Sequence, residues 1–588
     1  MSLAIDPVTA SVVHGALETI TIEMGHKLMR MAHSSIIRES EDFGAAVVDV
    51  EGNGLAESPQ STPLQSGPIP GYIRGMHAAL ARRGETIGPD DVIMHNDPYA
   101  GGSHGPDVAF IVPVVVAGEI VAYAATTAHH LDIGASTPGS CGIVDAVDAY
   151  AEGLQFKAIK VVENGKPNTM VWHLLRDNIR ASNLVVGDME AQIAASRIGA
   201  RRTEALIAQY GLSTFRAACA ALMDRAEALM RTAIAAVPDG VYRAESMLDG
   251  YEGDPQRGDL PIVVTLTVKG DELEVDLTGT AEQVSDRPIN MPFEGTVDIA
   301  VWLTLRSILL DTAVHGHIPV NAGLLRPITI TAPKGCLANP IFPAPTIARF
   351  TPGNLVADTV MKALAQAVPE QVSAGIGNLR VLAFSGLQDG DHWVHMEIFE
   401  GSYGGRHGMK GMDAVDTLFA NTRNNPIEDI ESHLPLRVTS YELREDGAGA
   451  GQWRGGIGAV RAFEFLADGG VSVEGDGHVY APWGFDGGRE GSPARITAER
   501  GGRATQTLTS KVPYTPARSG DRFVVVGPIG GGYGDPLKRD PESVRGDVLD
   551  GLISREIAER DYRVVLSADL TVDAAATSRL RQGEPVGA

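Results

Sequence analysis

Residues 93–132, IMHNDPYAGGSHGPDVAFIVPVVVAGEIVAYAATTAHHLD, gather His95, Asp97, His104, Asp107, His129, His130 and Asp132 around glycine-rich turns. Imidazole nitrogens mixed with carboxylate oxygens are a donor set suited to zinc, iron or manganese. Singly, each of these residues is more simply a polar group serving a turn. As a group they read differently, because the strands between them bring them together. An acid from the upstream segment Arg38-Glu39-Ser40-Glu41-Asp42-Phe43-Gly44 is a further candidate ligand.

The positioning element is a hairpin. Val108 to Val116 is a β-branched apolar run, Ala117-Gly118-Glu119 a turn, and Ile120 to Ala128 the return strand. Its open end then holds His104 and Asp107 beside His129 and His130. A second candidate for chemistry is FEGSYGGRHGMKG at Phe399 to Gly411. There a nest of backbone N–H groups with Arg406, His407 and Lys410 would suit an oxyanion or a phosphate. The spacing GxxxxGK[ST] occurs nowhere, so the chain carries no P-loop of its own. The GGGYG cluster at Gly530 to Gly534 precedes Asp535-Pro536 and reads as a turn.

HNDPYAGGSHGPDV, AHHLDIG and the upstream ESEDFGAAVVD resemble the hydantoinase B/oxoprolinase family. The likeness continues in order through DAYAEGLQF, NTRNNPIEDIE, GQWRGGIG, PWGFDGG and GPIGGGYGDPLKRDP, nearly the whole chain. The resemblance implies a divalent metal (Zn, Mn or Fe) held by Asp42, His104, Asp107 and His129. It places His130 and Asp132 beside that set, orienting His129 or taking up protons. Glu152 would reach the metal or carry protons, against an equally simple salt-bridge role. The Pro-rich stretch Pro340 to Asn354 would form a pocket loop.

The resemblance also implies a division of labour. A hydantoinase A-like, ATP-binding partner phosphorylates a cyclic amide such as a hydantoin, 5-oxoproline or a lactam. This chain then hydrolyses the activated ring within a hetero-oligomer. A ketone carboxylase component is the alternative enzyme, and a scaffold with a degenerate site is the non-enzyme reading.

A net charge of −25 argues against nucleic acid and against an anionic membrane surface as partners. Three cysteines, Cys141, Cys219 and Cys336, lack CxxC spacing, which fits a reducing cytoplasm. No run of eighteen apolar residues and no basic leader occurs.

The fold expected is a large α+β subunit. It comprises an N-terminal α/β metal-site region (1–170), a helical segment (171–239), a central α+β substrate-pocket region (240–435), a β-rich sandwich or barrel (436–566) and a disordered tail (567–588). Asp6-Pro7 should start a long helix with Val8, Val12, Ala16, Ile20, Met24 and Leu28 as its apolar stripe. His14 and His26 on that helix are expected in solvent or core roles.

Overall fold

The computed structural model describes residues 5–140, 144–251, 258–418, 420–445, 447–503 and 505–583. Cys141 lies outside them; Cys219 and Cys336 are free and buried.

The first layer is a seven-stranded sheet of β1 (Phe43–Asp49), β2 (Gly54–Glu57), β3 (Val92–His95), β4 (Asp107–Val116), β5 (Glu119–His129), β6 (Ile159–Glu163) and β7 (Lys166–Pro167). Its order is β2-β1-β5-β4-β3-β6-β7. Successive side chains of a strand point to opposite faces, and here both faces are covered. Ala45, Val47, Val108 and Phe110 join a core shared with helices Pro7–Met31 and Ser182–Tyr210. Ala46, Val48, Ala109 and Ile111 join another with Tyr72, Ile73 and Met76 of helix Ile69–Arg83. Two-sided burial explains why β4 reads as a continuous apolar run instead of an alternation.

The N-terminal helix begins as its sequence dictates, with Pro7 in the first turn and the Asp6 side chain accepting from Thr9 N at 3.0 Å. Its buried stripe is Ala10, Val13, Leu17, Ile20, Met24 and Leu28, whereas Val8 and Val12 are exposed. A strict four-residue spacing advances further than one turn of about 3.6 residues. The expected stripe therefore drifts around the helix, and only its second half meets the core.

Helices Thr169–Asn178, Ser182–Tyr210 and Leu212–Ala235 fill the helical segment. A second sheet, β8 (Gly240–Leu248), β9 (Leu260–Lys269), β10 (Glu272–Asp276) and β11 (Ile328–Thr331), runs in the order β11-β10-β9-β8. Helices Asp298–Leu309 and Phe350–Leu364 follow in the central region.

The remaining strands are β12 (Arg380–Gln388), β13 (Asp391–Phe399), β14 (Leu436–Leu443), β15 (Ala459–Phe465), β16 (Gly469–Glu474), β17 (Arg495–Glu499), β18 (Gln506–Leu508), β19 (Val512–Ala517) and β20 (Arg522–Val526). They form two sheets, β13-β12-β16-β19 and β14-β15-β20-β17-β18. Phe384, Val471 and Val473 of one share a core with Phe463, Phe465, Ile496 and Phe523 of the other, so the two make a sandwich. It draws strands from both sides of residue 436. Its β12–β13 hairpin goes beyond the sequence expectation, yet Asp389-Gly390 sits between paired Gln388 and Asp391 with both φ positive. That dipeptide is a strong two-residue hairpin signal.

The disorder expected after residue 567 does not hold for Ala574–Arg581, a helix with Ala576 and Thr577 buried and its first turn capped by Asp573. Among the described residues no helix is long and apolar enough to cross a membrane.

Candidate functional site

In the β4–β5 hairpin Asp107 lies directly opposite His129. Cross-strand partners bring their Cβ atoms within about 5.5 Å. Three donor atoms converge there. His104 Nε2 is 3.1 Å from Asp107 Oδ1 and 3.2 Å from His129 Nδ1, and His129 Nδ1 is 3.1 Å from the same carboxylate oxygen. All three residues are buried.

His104 Nδ1 donates to the Ile347 carbonyl at 2.8 Å, leaving Nε2 as a bare lone pair. Burial, reinforced by the Arg349 charge, pushes His104 down to about 4, so the ring is neutral at pH 7. Burial alone would raise Asp107. A hydrogen bond from the facing His129 and the Arg349 guanidinium work against that, and the carboxyl is held well below its usual range. A lone pair and a carboxylate oxygen 3.1 Å apart repel unless a cation or a proton lies between them. The spacing is what one ion with bonds of about 2.0–2.2 Å needs, so the residues present fit a divalent metal.

Other segments close the group. Arg349, fully buried, donates to Asp107 Oδ2 at 2.8 Å, and its Nε has no partner among the described residues. Ser103 Oγ donates to the same oxygen. Gln65 Nε2 bridges two carboxylates, 2.8 Å from Asp107 Oδ1 and 3.1 Å from Asp42 Oδ1. Gly44 makes that bridge fit, because a Cβ there would stand 2.6 Å from the backbone at Gln65 and Ser66. A cavity of about 30 Å³ adjoins the group, walled by Asp42, His104, His129, Ile347, Arg349, Phe350, Met396 and Glu474 among others.

The expected site residues divide. His104, Asp107 and His129 come together, and Asp42 lines the same cavity. Asp42 stands apart from the tight donor group, its carboxyl pushed up by burial and by Asp107 against the opposing pull of His129.

His130 follows His129 and takes the other face of the layer, its Nε2 2.9 Å from Gln192 Oε1 of helix Ser182–Tyr210. It does not orient His129. Asp132 accepts from Gly134 N, Gly139 N and Arg180, and so holds a loop rather than a ligand.

Glu152 does not reach the donors either. It accepts from the backbone N–H groups of Thr346 and Ile347, the latter being the residue whose carbonyl holds His104. Burial pushes its carboxyl up to about 8.

Arg406, His407 and Lys410 are exposed and line no part of the cavity. The glycines beside them serve close backbone packing: a Cβ on Gly405 would meet Trp453 O at 2.2 Å. His95 and Asp97 hold backbone in place away from the donor group, His95 tying the Phe156 and Ala100 carbonyls together and Asp97 accepting from Tyr99 N and pairing with Lys157.

Gln65 and Glu474 join the site without a sequence motif to mark them, whereas Arg349 comes from the Pro340 to Asn354 stretch expected to form a pocket loop, of which Ile347, Arg349 and Phe350 line the cavity. The one local signal for Arg349 is a lone cation in the apolar, Pro-rich run PAPTIARF.

Fold and site define a class: a large α+β protein with a buried His/Asp donor group between a hairpin end and a distant loop. The Hydantoinase B/oxoprolinase family profile matches residues 6–536, and the chain belongs to that family. It is 61% identical over 585 residues to a putative D-/L-hydantoinase subunit of Pseudomonas sp. (strain NS671), covering 98% of each chain. Its fold matches the crystal structure of an ATP-dependent caprolactamase from Pseudomonas jessenii with a TM-score of 0.90 and 30% identity, over 99% of this chain and 100% of that one. A nucleotide-free acetone carboxylase chain shares the fold, with a TM-score of 0.88 and 18% identity over 99% of this chain and 84% of that one.

Proposed function

We propose that this chain is the ring-opening subunit of an ATP-dependent cyclic-amide hydrolase. A separate subunit would bind ATP and phosphorylate the amide oxygen. The observation that carries the reading is the convergence of His104 Nε2, Asp107 Oδ1 and His129 Nδ1 under a buried arginine. The names of the relatives support it: one is a hydantoinase subunit, the other an ATP-dependent caprolactamase.

A divalent ion held by His104, Asp107 and His129, with Asp42 beside them, supplies Lewis acidity toward a carbonyl or a water. The chain's own residues do the rest. Asp42, its carboxyl raised by burial, is placed to take a proton from the attacking water. Arg349 keeps Asp107 charged and presents its unpartnered Nε–H to the oxygen or phosphate that gains charge. In the net reaction two waters are consumed: one adds to the amide carbon and the C–N bond breaks, freeing the ring amine and leaving an acyl phosphate, and the second cleaves that acyl phosphate to carboxylate and phosphate. The 30 Å³ cavity holds roughly one water, so the wall formed by Ile347, Arg349 and Phe350 has to shift to admit a ring.

The test is co-expression with the ATP-binding partner, metal analysis, and ATP-dependent turnover of hydantoin, 5-oxoproline and caprolactam. His104→Ala and Asp107→Ala should each lose bound metal and ring opening while the complex still assembles. Full metal and full turnover in either variant would sink the assignment. The isolated chain should hydrolyse no ATP.

A further inference from the structure

A second convergent donor group lies away from the hairpin. His14 and Glu18 stand one turn apart on the N-terminal helix, and His317 follows the short helix Thr312–His315. Glu18 Oε1 is 3.2 Å from His317 Nε2, and Glu18 Oε2 is 3.9 Å from His14 Nδ1. The two imidazoles meet edge to face with centroids 5.0 Å apart, and one donor atom from each residue falls within 4.8 Å of the others.

Why these three meet calls for an explanation. An exposed His–Glu pair is worth about 1 kcal/mol or less, too little to fix the loop by itself. His14 is buried, and burial pushes it down, with Glu18 opposing and His317 and Arg225 adding to the fall. Arg225 and Arg306 weigh against a cation here; Glu18 weighs for one, and Glu57 on the same cavity wall is paired with Arg306 at 3.5 Å. Cavities of about 210 and 400 Å³ open on the two sides of the group, leaving room for water or a small anion as further ligands.

We propose that His14, Glu18 and His317 form a second divalent transition-metal site, separate from the hairpin group, that staples the N-terminal helix to the 316–320 loop. Two imidazoles and one carboxylate select zinc, cobalt or nickel over magnesium or calcium, which prefer oxygen donors alone. The staple also fixes a pocket wall, since Val320 lines both the 210 Å³ cavity and a neighbouring apolar pocket of about 380 Å³. Nothing in this site depends on the hydrolase reading.

The test uses the full-length chain loaded with cobalt(II) or zinc(II), gel-filtered, and analysed for metal per chain. Wild type should hold one more ion than His317→Ala, and His104→Ala should keep that ion. Added zinc should raise the Tm of wild type more than that of His317→Ala, which keeps only the hairpin group, and should still raise the Tm of His104→Ala. His317 is mostly exposed, so its replacement leaves the fold intact. Glu18→Gln should weaken the same ion without removing a buried contact. Equal metal content and equal zinc-induced Tm shifts in wild type and His317→Ala would overturn the site. Loss of the ion in His104→Ala but not in His317→Ala would overturn it equally.

Discussion

Two buried clusters in this chain use the same side-chain types and end in different arrangements. In the sandwich, Glu397 accepts from His395 Nε2, Asn425 Nδ2 and the Arg461 guanidinium, each at 2.7 Å. Every contact of that carboxylate joins a donor to an acceptor. Arg461, with the hydrogen bonds of His395 and Asn425, outweighs burial and holds the carboxyl below its usual range. At the hairpin end His104, Asp107, His129 and Arg349 are equally buried, but the atoms that meet there, His104 Nε2, Asp107 Oδ1 and His129 Nδ1, are ones a single ion could join. Unpartnered atoms occur in both clusters, Arg461 Nε and Asn425 Oδ1 in the sandwich and His129 Nε2 and Arg349 Nε at the hairpin end, so the difference lies in which atoms converge. Both carboxylates are well supplied with donors, Asp107 from Arg349, Ser103 and Gln65. What differs is the second imidazole, which at the hairpin end brings two ring nitrogens and a carboxylate oxygen within 4.8 Å of one another.

The sharpest way to break this contrast is to remove one partner from each cluster. Arg461→Met should cost about 3–5 kcal/mol, because it strands a buried carboxylate. Urea unfolding of the purified chain measures it. His104→Ala removes one of the converging atoms, so the metal-free chain should lose clearly less; equal losses would mean that both clusters are structural.

A second measurement concerns Glu152. Its folded-state value is raised from 4.5 to about 8, so the folded chain holds a proton that the unfolded chain releases. The stabilisation is complete below pH 4.5 and fades as pH rises toward 8, by up to about 1.4 kcal/mol per pH unit. Wild type should lose stability across that window. Glu152→Gln keeps an oxygen for Thr346 N and Ile347 N and should flatten the slope. Parallel curves for the two proteins would refute the assignment of the titration to Glu152.

Gln65 tests the site side of the comparison. Gln65→Leu takes away the amide that separates Asp42 from Asp107 and should weaken metal binding about 10–100-fold, read by competition with a chelator. The smallest effects belong to the exposed glycine-rich segment at Arg406 to Lys410. Arg406→Ala and Lys410→Ala should change stability by no more than about 0.5 kcal/mol and leave turnover within error. A large drop in turnover would restore the phosphate role that their spacing suggests.

What is legible in the sequence follows from how local the determinants are. The β4–β5 hairpin, the three long helices and most sandwich strands are written in runs of a few residues. The hairpin register then brings Asp107 to His129 with no information from elsewhere. His130 departs from its expected place because adjacency along a strand is not adjacency in space: neighbours on a strand face opposite ways. Arg349 is hidden for another reason. It lies 242 residues from Asp107, and nothing local announces a partner so distant. Glu152 stands on the right side of the molecule, but its carboxylate bonds the 346–347 backbone and acts on His104 only through that loop.

That distance limits how the protein can be divided. A fragment that starts at the N-terminus and ends between residues 130 and 348 retains all three donor residues of the hairpin group but lacks the cation that neutralises Asp107. The donor group cannot be excised as a minimal module, and a truncated or circularly permuted version has to carry the 346–350 segment in its native place. For the engineer, the unit of transplantation is the full two-segment arch.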